Sequence, residues 1–589
     1  MKKFLAFACL LLTATILLCA CSSGASGGDA SGSELFSEPD TEVSEGLGAA
    51  QRVSDYTVIY PKNYSEFAKG SVNTLTTRIK ASTGEDLSTE RDSRNAEDND
   101  GVKEIIVGRA DRQETKDFMS RLDYNEYGTL VTDDKIVITG WTDYTCRLAV
   151  EDFKNRIAEN TVKGEDGAYY FDFKDNKEFV TVYNDYYGDL PPFEGVVDAV
   201  YDSSEKHYML WYSDVEASAF DTYSATVEGD GYELVNSNTI GNNAYATYVK
   251  GERKIHFYYV AAEKQLRIVY GPNDIVPELF ATEHEKVATP QATLMPLKYI
   301  SASGGGACMI YTLEDGTFFV LDGGWKEEAD VLYKTLKALN TDANGADAPI
   351  VISAWFLSHG HGDHVGCIKT FAPQYGDEVK VNALIFNGVR ETQLLNTKVT
   401  SDPLATGAVS SGVAAHFKTV DGDRTPIMML HSGQKLSFGG AVLEVMFTHE
   451  DMFDIKITNF NNFNTVVRMT LGGESMLLAN DAVNVELPEM IKELGEEALR
   501  HEFCMVTHHG ADSGYLPYYE VVGAKYYFWP NSYDHYLSAL EKYKPWAPDV
   551  KDNATEFYLA WEVCTTLNLP YTEGSYIEWN YETERPSQK

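Results

Sequence analysis

The chain reads as a multidomain α/β protein: two small α/β or α+β units, then a larger α/β domain that carries the chemistry. Three observations predict this. Its 589 residues exceed what one hydrophobic core organises and fit several domains. Short apolar runs alternate with stretches of helical period, as when strands and helices interleave. Ten of the 13 histidines lie beyond residue 350, three of them in one loop behind an apolar run.

Residues 1–20 read as a leader. Lys2 and Lys3 precede an apolar stretch over 5–18 that is short for a membrane span. Its end, Leu18-Cys19-Ala20-Cys21, resembles a bacterial lipobox. That resemblance implies lipidation at Cys21 and an extracytoplasmic protein held to the bacterial cell membrane by its N-terminal lipid alone. A plain secretory signal is the alternative. Residues 21–50 are rich in Ser, Gly and acidic residues, cannot build a core, and read as a flexible tether.

Residues 51–180 read as a small α/β domain: strands at 57–60 and 104–107, a hairpin over 128–139, and a closing helix from 144 to about 160. Residues 181–280 read as a small α+β domain, a spacer or recognition module, with a helix over 215–227 and strands near 208, 232, 244, 255 and 266. A linker precedes the domain expected over 293–589.

Composition sets bounds. A net charge of −40 opposes a stable nucleic-acid complex, which needs clustered Lys and Arg to displace counterions. Two of the eight cysteines lie in the leader and one ends it. The remaining five are widely spaced without a C-x-x-C pair, and read as buried small hydrophobes.

The chemistry starts at Ser358-His359-Gly360-His361-Gly362-Asp363-His364, after an apolar strand at 352–357. Three imidazoles and a carboxylate in six residues suit zinc and similar divalent ions. Glycines let the loop turn tightly, so His359 and His361 can converge on one ion while Asp363 and His364 face a second. Ser358 and Cys367 flank the loop, but neither has a base at nucleophile spacing. Trp325, Trp355, Trp529, Tyr533 and Trp546 read as core by default, with a cleft lining as the alternative.

H-G-H-G-D-H resembles the H-x-H-x-D-H signature of the metallo-β-lactamase fold hydrolases, and later motifs extend the resemblance. A hairpin ends at Asp322-Gly323-Gly324, where the family supports its metal loop from beneath. Paired strands from Asn464 end at Asn480-Asp481-Ala482, and another apolar strand runs into His508-His509-Gly510. The last two resemble the branch containing the competence-protein hydrolase domain and the teichoic-acid choline-phosphate esterase. The resemblance implies an αββα sandwich with two metal ions, zinc or manganese, at one sheet edge. It implies Asp481 as the bridging carboxylate and one of His508 and His509 as the last ligand. His449 falls where the family often has its third histidine of site one; a solvent-exposed loop histidine is the alternative.

The same resemblance implies a hydroxide shared by two ions and attack on a phosphodiester or phosphoester, with His508, His509 or Asn464 stabilising the developing charge. The substrate is then a small molecule or a cell-surface polymer. A β-lactam or lactone hydrolase is the alternative enzyme, and a non-catalytic binding lipoprotein is the alternative of another class.

Overall fold

The computed structural model describes residues 51–583 except 63, 65, 93–100, 175–176, 184–186, 204–206, 299–304, 390–411, 454, 456–459 and 512–513. The expected leader, tether and Cys21 lie outside the described residues. No helix among the described residues is long and apolar enough to cross a membrane.

The first sheet has six strands in the order Thr89–Arg91, Thr57–Tyr60, Glu104–Val107, Lys135–Gly140, Glu126–Val131 and Glu178–Val182. Helices Glu66–Thr83 and Asp143–Arg156 cover one face through Val72, Leu75, Ile79, Val150 and Phe153. Helix Gln113–Met119 covers the other. The closing helix stops at Arg156, short of the expected 160, because the chain turns into strand Thr161–Lys163 of a separate small sheet.

The second sheet is antiparallel, ordered Ala199–Asp202, Tyr208–Tyr212, Gln265–Pro272, Arg253–Val260, Asn243–Lys250 and Glu233–Ile240. Helix Ser218–Gly229 packs on one face with Tyr223 and Val227. The other face is equally apolar. Its Met209, Trp211, Tyr245, Tyr258 and Val269 join Met446, Leu487, Met490 and Leu494 in one continuous core. A sheet buried on both faces explains the near-continuous apolar runs of its strands. It is a wall packed against the last domain.

That domain is a sandwich of two sheets. One has nine strands, with Ile350–Leu357 flanked by parallel strands Phe318–Asp322 and Leu384–Phe386. The other has seven, ordered Lys435–Phe438, Ala441–Phe447, Val466–Leu471, Glu474–Leu478, Phe503–Met505, Tyr526–Trp529 and Glu556–Leu559. Their facing sides fill one core, including Met309, Phe319, Phe356, Leu443, Met469 and Phe528. Full burial of each such side chain contributes about 1.5–3 kcal/mol. Helices Ala329–Asn344 and Gly362–Tyr375 cover the outside of the nine-stranded sheet. Helices Glu486–Leu494, Leu516–Val522, Tyr533–Lys542 and Trp546–Asn553 cover the seven-stranded one. The αββα layering is therefore present, with the second sheet laid over part of its outer surface. All five described cysteines are buried, and none forms a disulfide with another described cysteine.

Candidate metal centre

The metal-capable side chains meet where strands of both sheets end. Strand Ile350–Leu357 delivers Ser358 and His359, and helix Gly362–Tyr375 begins with His361 as its cap. Strand Glu474–Leu478 delivers Asp481, and strand Phe503–Met505 delivers His508 and His509.

Two groups form around one shared carboxylate: Asp363, His364, Asp481 and His509, and His359, His361 and Asp481. Asp481 Oδ1 lies 3.1 Å from His364 Nε2 and 3.2 Å from His509 Nε2. Its Oδ2 lies 3.7 Å from His359 Nε2 and 3.9 Å from His508 Nε2. His509 Nε2 is 3.3 Å from Asp363 Oδ2. Each carboxylate oxygen of Asp481 thus faces a different group of imidazoles.

Asp322 sets this up from beneath. Fully buried, it accepts from Ser358 N–H (2.8 Å), Ser358 Oγ–H (2.7 Å) and His364 Nδ1–H (2.7 Å). With Nδ1 protonated, the His364 Nε2 lone pair points into the cluster. Ser358 Oγ, having spent its proton on Asp322, accepts from His359 Nδ1–H at 3.1 Å, so the His359 Nε2 lone pair points into the cluster in the same way.

The backbone is strained at these positions. Eight described non-glycine residues have positive φ, and Asp322 (55°), Asn480 (47°), His508 (48°) and His509 (55°) are four of them. Such conformations persist only where surroundings over-determine them. Asn480 Nδ2 donates to Thr465 O, and its carbonyl accepts from His508 N–H. His509 O accepts from Trp529 Nε1 (3.1 Å) and Asn531 Nδ2 (3.0 Å). A Cβ on Gly510 would lie 2.1 Å from Trp529 Nε1, which explains the glycine after the histidine pair.

The donor set fits divalent cations. The Asp481 carboxylate is buried, and imidazole nitrogens face both of its oxygens. Ring nitrogens face one another, His359 Nε2 to His361 Nδ1 at 2.9 Å and His364 Nε2 to His509 Nε2 at 3.0 Å. Two lone pairs at that separation need a proton or a cation between them. Protons answer in part: burial opposes charge on His364 and His509, but Asp481 beside them raises His364 well above the usual imidazole value and His509 to about 9. Burial works against ionising Asp481 too, yet His364 and His509 hold its carboxyl well below the usual range. Burial, foremost, lowers His359 and His361, so these two stay neutral and suited to binding a metal.

Three expected site residues sit differently. Asn464 Nδ2 donates to Ala479 O (2.9 Å), and its Oδ1 accepts from Asp481 N–H (3.4 Å). Its amide braces the Asp481 turn. His449 is in neither group. It is fully buried with its ring beside Phe453 and Phe463, neither nitrogen is hydrogen-bonded to a described residue, and burial lowers it to about 3. It is therefore not a solvent-exposed loop histidine. Of the histidine pair, His509 enters the cluster with a side chain 5% exposed, whereas His508 stands at the rim at 23%. Asn461, whose Nδ2 lies 3.1 Å from His508 Nε2, was not singled out from the sequence, because an asparagine in a polar loop carries no pattern. Trp355, Trp529 and Trp546 belong to the core.

The profile of the metallo-beta-lactamase superfamily matches residues 303–393, the span from the first hairpin through the histidine loop. Among curated proteins nothing matches. Solved structures similar to the chain include a protein of unknown function from Enterococcus faecalis V583, at 16% identity and TM-score 0.22 over 37% of this chain. The match spans about half (49%) of that protein's own length. Another is a B3 metallo-beta-lactamase with an active-site glutamic acid, at 13% identity and TM-score 0.23, covering 42% of this chain and 88% of that one. The histidine loop and its supporting hairpin fall within the residues 303–393 that match the metallo-beta-lactamase superfamily, and the C-terminal half around them has the αββα layers.

Proposed function

We propose that this protein is a two-metal hydrolase acting on a phosphodiester or phosphoester, secreted and held at the bacterial cell surface through a lipid on Cys21. The single observation that carries the metal reading is Asp481, whose two buried oxygens face two separate sets of imidazoles. His359, His361 and Asp481 would hold one ion; Asp363, His364, Asp481 and His509 the other. Zinc is the first expectation and manganese the second. Ions so held supply water of lowered pKa and neutralise charge on the reacting phosphate.

The chain's own residues do the rest. Asp322 and Ser358 orient His364 and His359. Asn464 and Asn480 fix the turn that presents Asp481. His508 at the rim, steadied by Asn461, faces the substrate and can hand a proton to the leaving oxygen. The sheet of the unit over 181–280 supports the domain over 293–589 by burying one face against it.

The test is elemental analysis of the purified protein with assays on bis-p-nitrophenyl phosphate and a chromogenic cephalosporin, using Asp363→Ala/His364→Ala as control. Two equivalents of metal, with phosphodiester turnover that the control loses, support the reading. Turnover of the cephalosporin alone moves the function to amide hydrolysis. Neither metal nor turnover would sink the two-metal reading and leave a binding lipoprotein.

A further inference from the structure

Beside the metal loop runs a cleft of about 390 Å³ lined by Trp325, Lys326, Glu327, Gly362, Lys369 and Thr370. It starts at Gly362, between His361 and Asp363, and follows one face of helix Gly362–Tyr375 at positions i, i+4, i+7 and i+8. Two glycines make its floor. A Cβ on Gly366 would come 3.0 Å from the Lys326 backbone nitrogen, and one on Gly362 would meet the Trp325 ring at 3.5 Å. Trp325 is half-buried, and its Nε1 donates to Gly305 O at 3.0 Å, which pins the ring against the metal loop. Unlike Trp355, Trp529 and Trp546, it is not swallowed by the core.

Two ammonium groups and one carboxylate line this cleft, in a chain whose acidic residues outnumber its basic ones by 40. Lys326 lies 3.9 Å from Glu327 with its side chain 73% exposed. Lys369 stands two turns along the helix from Gly362, a rise of about 10 Å. Helical side chains lean toward the N-terminus, so its stem leans back toward the metal loop. The positive end of the helix dipole lies at the same place.

We infer that this cleft is a subsite for a second phosphate of the substrate, with Lys326 and Lys369 as its cations and the Trp325 ring as a platform for the unit that links it to the scissile phosphate. The inference rests on the phosphoester reading and narrows it to substrates carrying more than one phosphate.

The test compares two esters that differ by one phosphate: thymidine 5′-(p-nitrophenyl phosphate), and the same compound with a 3′-phosphate. With the metal-loaded full chain, the second has the higher kcat/KM, and the advantage shrinks as salt rises. In Lys326→Ala/Lys369→Ala the ratio of the two kcat/KM values falls about tenfold, through KM. In Glu327→Gln, which removes the competing carboxylate, it rises about two- to threefold. A ratio that neither variant moves overturns the subsite. A separate arm measures binding of thymidine 3′,5′-bisphosphate by calorimetry. About tenfold weaker binding to the double variant supports the subsite, and equal affinity overturns it. Failure of the metal-loaded protein to cleave either ester would remove the phosphoester reading instead, and the binding arm still decides whether the cleft takes a second phosphate.

Discussion

Two groups of buried histidines lie in this molecule, one at the sheet ends and one where the six-stranded sheet meets the sandwich. In the second group His431 stacks on His256, ring centroids 5.5 Å apart, and meets His207 edge-on at 5.4 Å. His256 is saturated, with Thr247 Oγ1 at Nδ1 (2.9 Å) and Ser432 O at Nε2 (2.8 Å). His431 Nδ1–H donates to Glu450, which also accepts from Ser203. Nearby, Arg267 is fully buried. It donates to Asp451 (2.9 Å), Glu493 (3.4 Å) and Glu263 (2.7 Å), with its guanidinium 4.2 Å from the Trp211 ring. Asp451 in turn accepts from Tyr258 Oη–H, Ser432 Oγ–H and Thr448 N–H.

At this seam the Arg267, Asp451 and His256 groups pair donor with acceptor, although His431 Nε2 has no hydrogen-bond partner among the described residues, whereas at the candidate metal centre several imidazole nitrogens converge on one carboxylate. Burial and histidine content are alike in the two places. What separates a polar seam from a candidate metal site is whether the lone pairs have somewhere to go. The seam joins the second sheet to the sandwich, and the centre is the proposed seat of the chemistry. Four changes sharpen or break that contrast.

Asp481→Ala should have the largest effect. It removes the shared ligand, so both metals and about 10³-fold of turnover should go while circular dichroism stays native. Full turnover in this variant would end the shared-carboxylate reading. Arg267→Met should do the reverse. It leaves Asp451 and Glu493 buried without their cation, at a cost of about 3–5 kcal/mol in urea unfolding, while the protein that remains folded keeps its metal. If instead it lost metal at unchanged stability, the seam and the centre would not be separable.

Asp322→Asn keeps the shape of the support under the loop but removes its charge. Metal affinity should fall about 10- to 100-fold, read by competition with a chromogenic chelator. The smallest effect belongs to Glu450→Gln. Burial raises Glu450 to about 8, from 4.5 for an ordinary glutamate. The folded state therefore holds a proton that the unfolded chain releases, and wild-type stability should fall as pH rises from about 4.5 to 8. The Gln variant should lose about 1–3 kcal/mol less over that window. Equal slopes in urea midpoints at pH 5 and pH 8 would show that Glu450 does not titrate there.

Much of this could be read before any coordinates. The histidine loop is contiguous, so its ligand types and its strand-to-helix setting lie within ten residues of sequence. Asp481 and the His508-His509 pair close apolar strands that periodicity shows, and it is the resemblance that singled them out as ligands. The αββα layers followed from the same periodicity with the resemblance. Helix bounds were read less well. The helix expected from 144 to about 160 is Asp143–Arg156, because the chain turns there toward strand Thr161–Lys163.

Only the tertiary structure decided the rest. Which of two adjacent histidines enters the cluster depends on two left-handed residues held by Trp529, Asn531 and the Asn480 carbonyl. Asn464 looked like a free amide, but the paired strands bring two backbone groups to it. His449 is ringed by Phe453 and Phe463, and no local pattern announces that enclosure. The second unit read as a separate spacer because its strands can be seen one by one. Its second apolar face and the Arg267–Asp451 pair, 184 residues apart in sequence, acquire meaning only when the sheet is laid on the sandwich. By itself the sequence determined which groups the chain possesses and which elements carry them. Packing determined which of those groups share a space, and so which lone pairs are left for a metal.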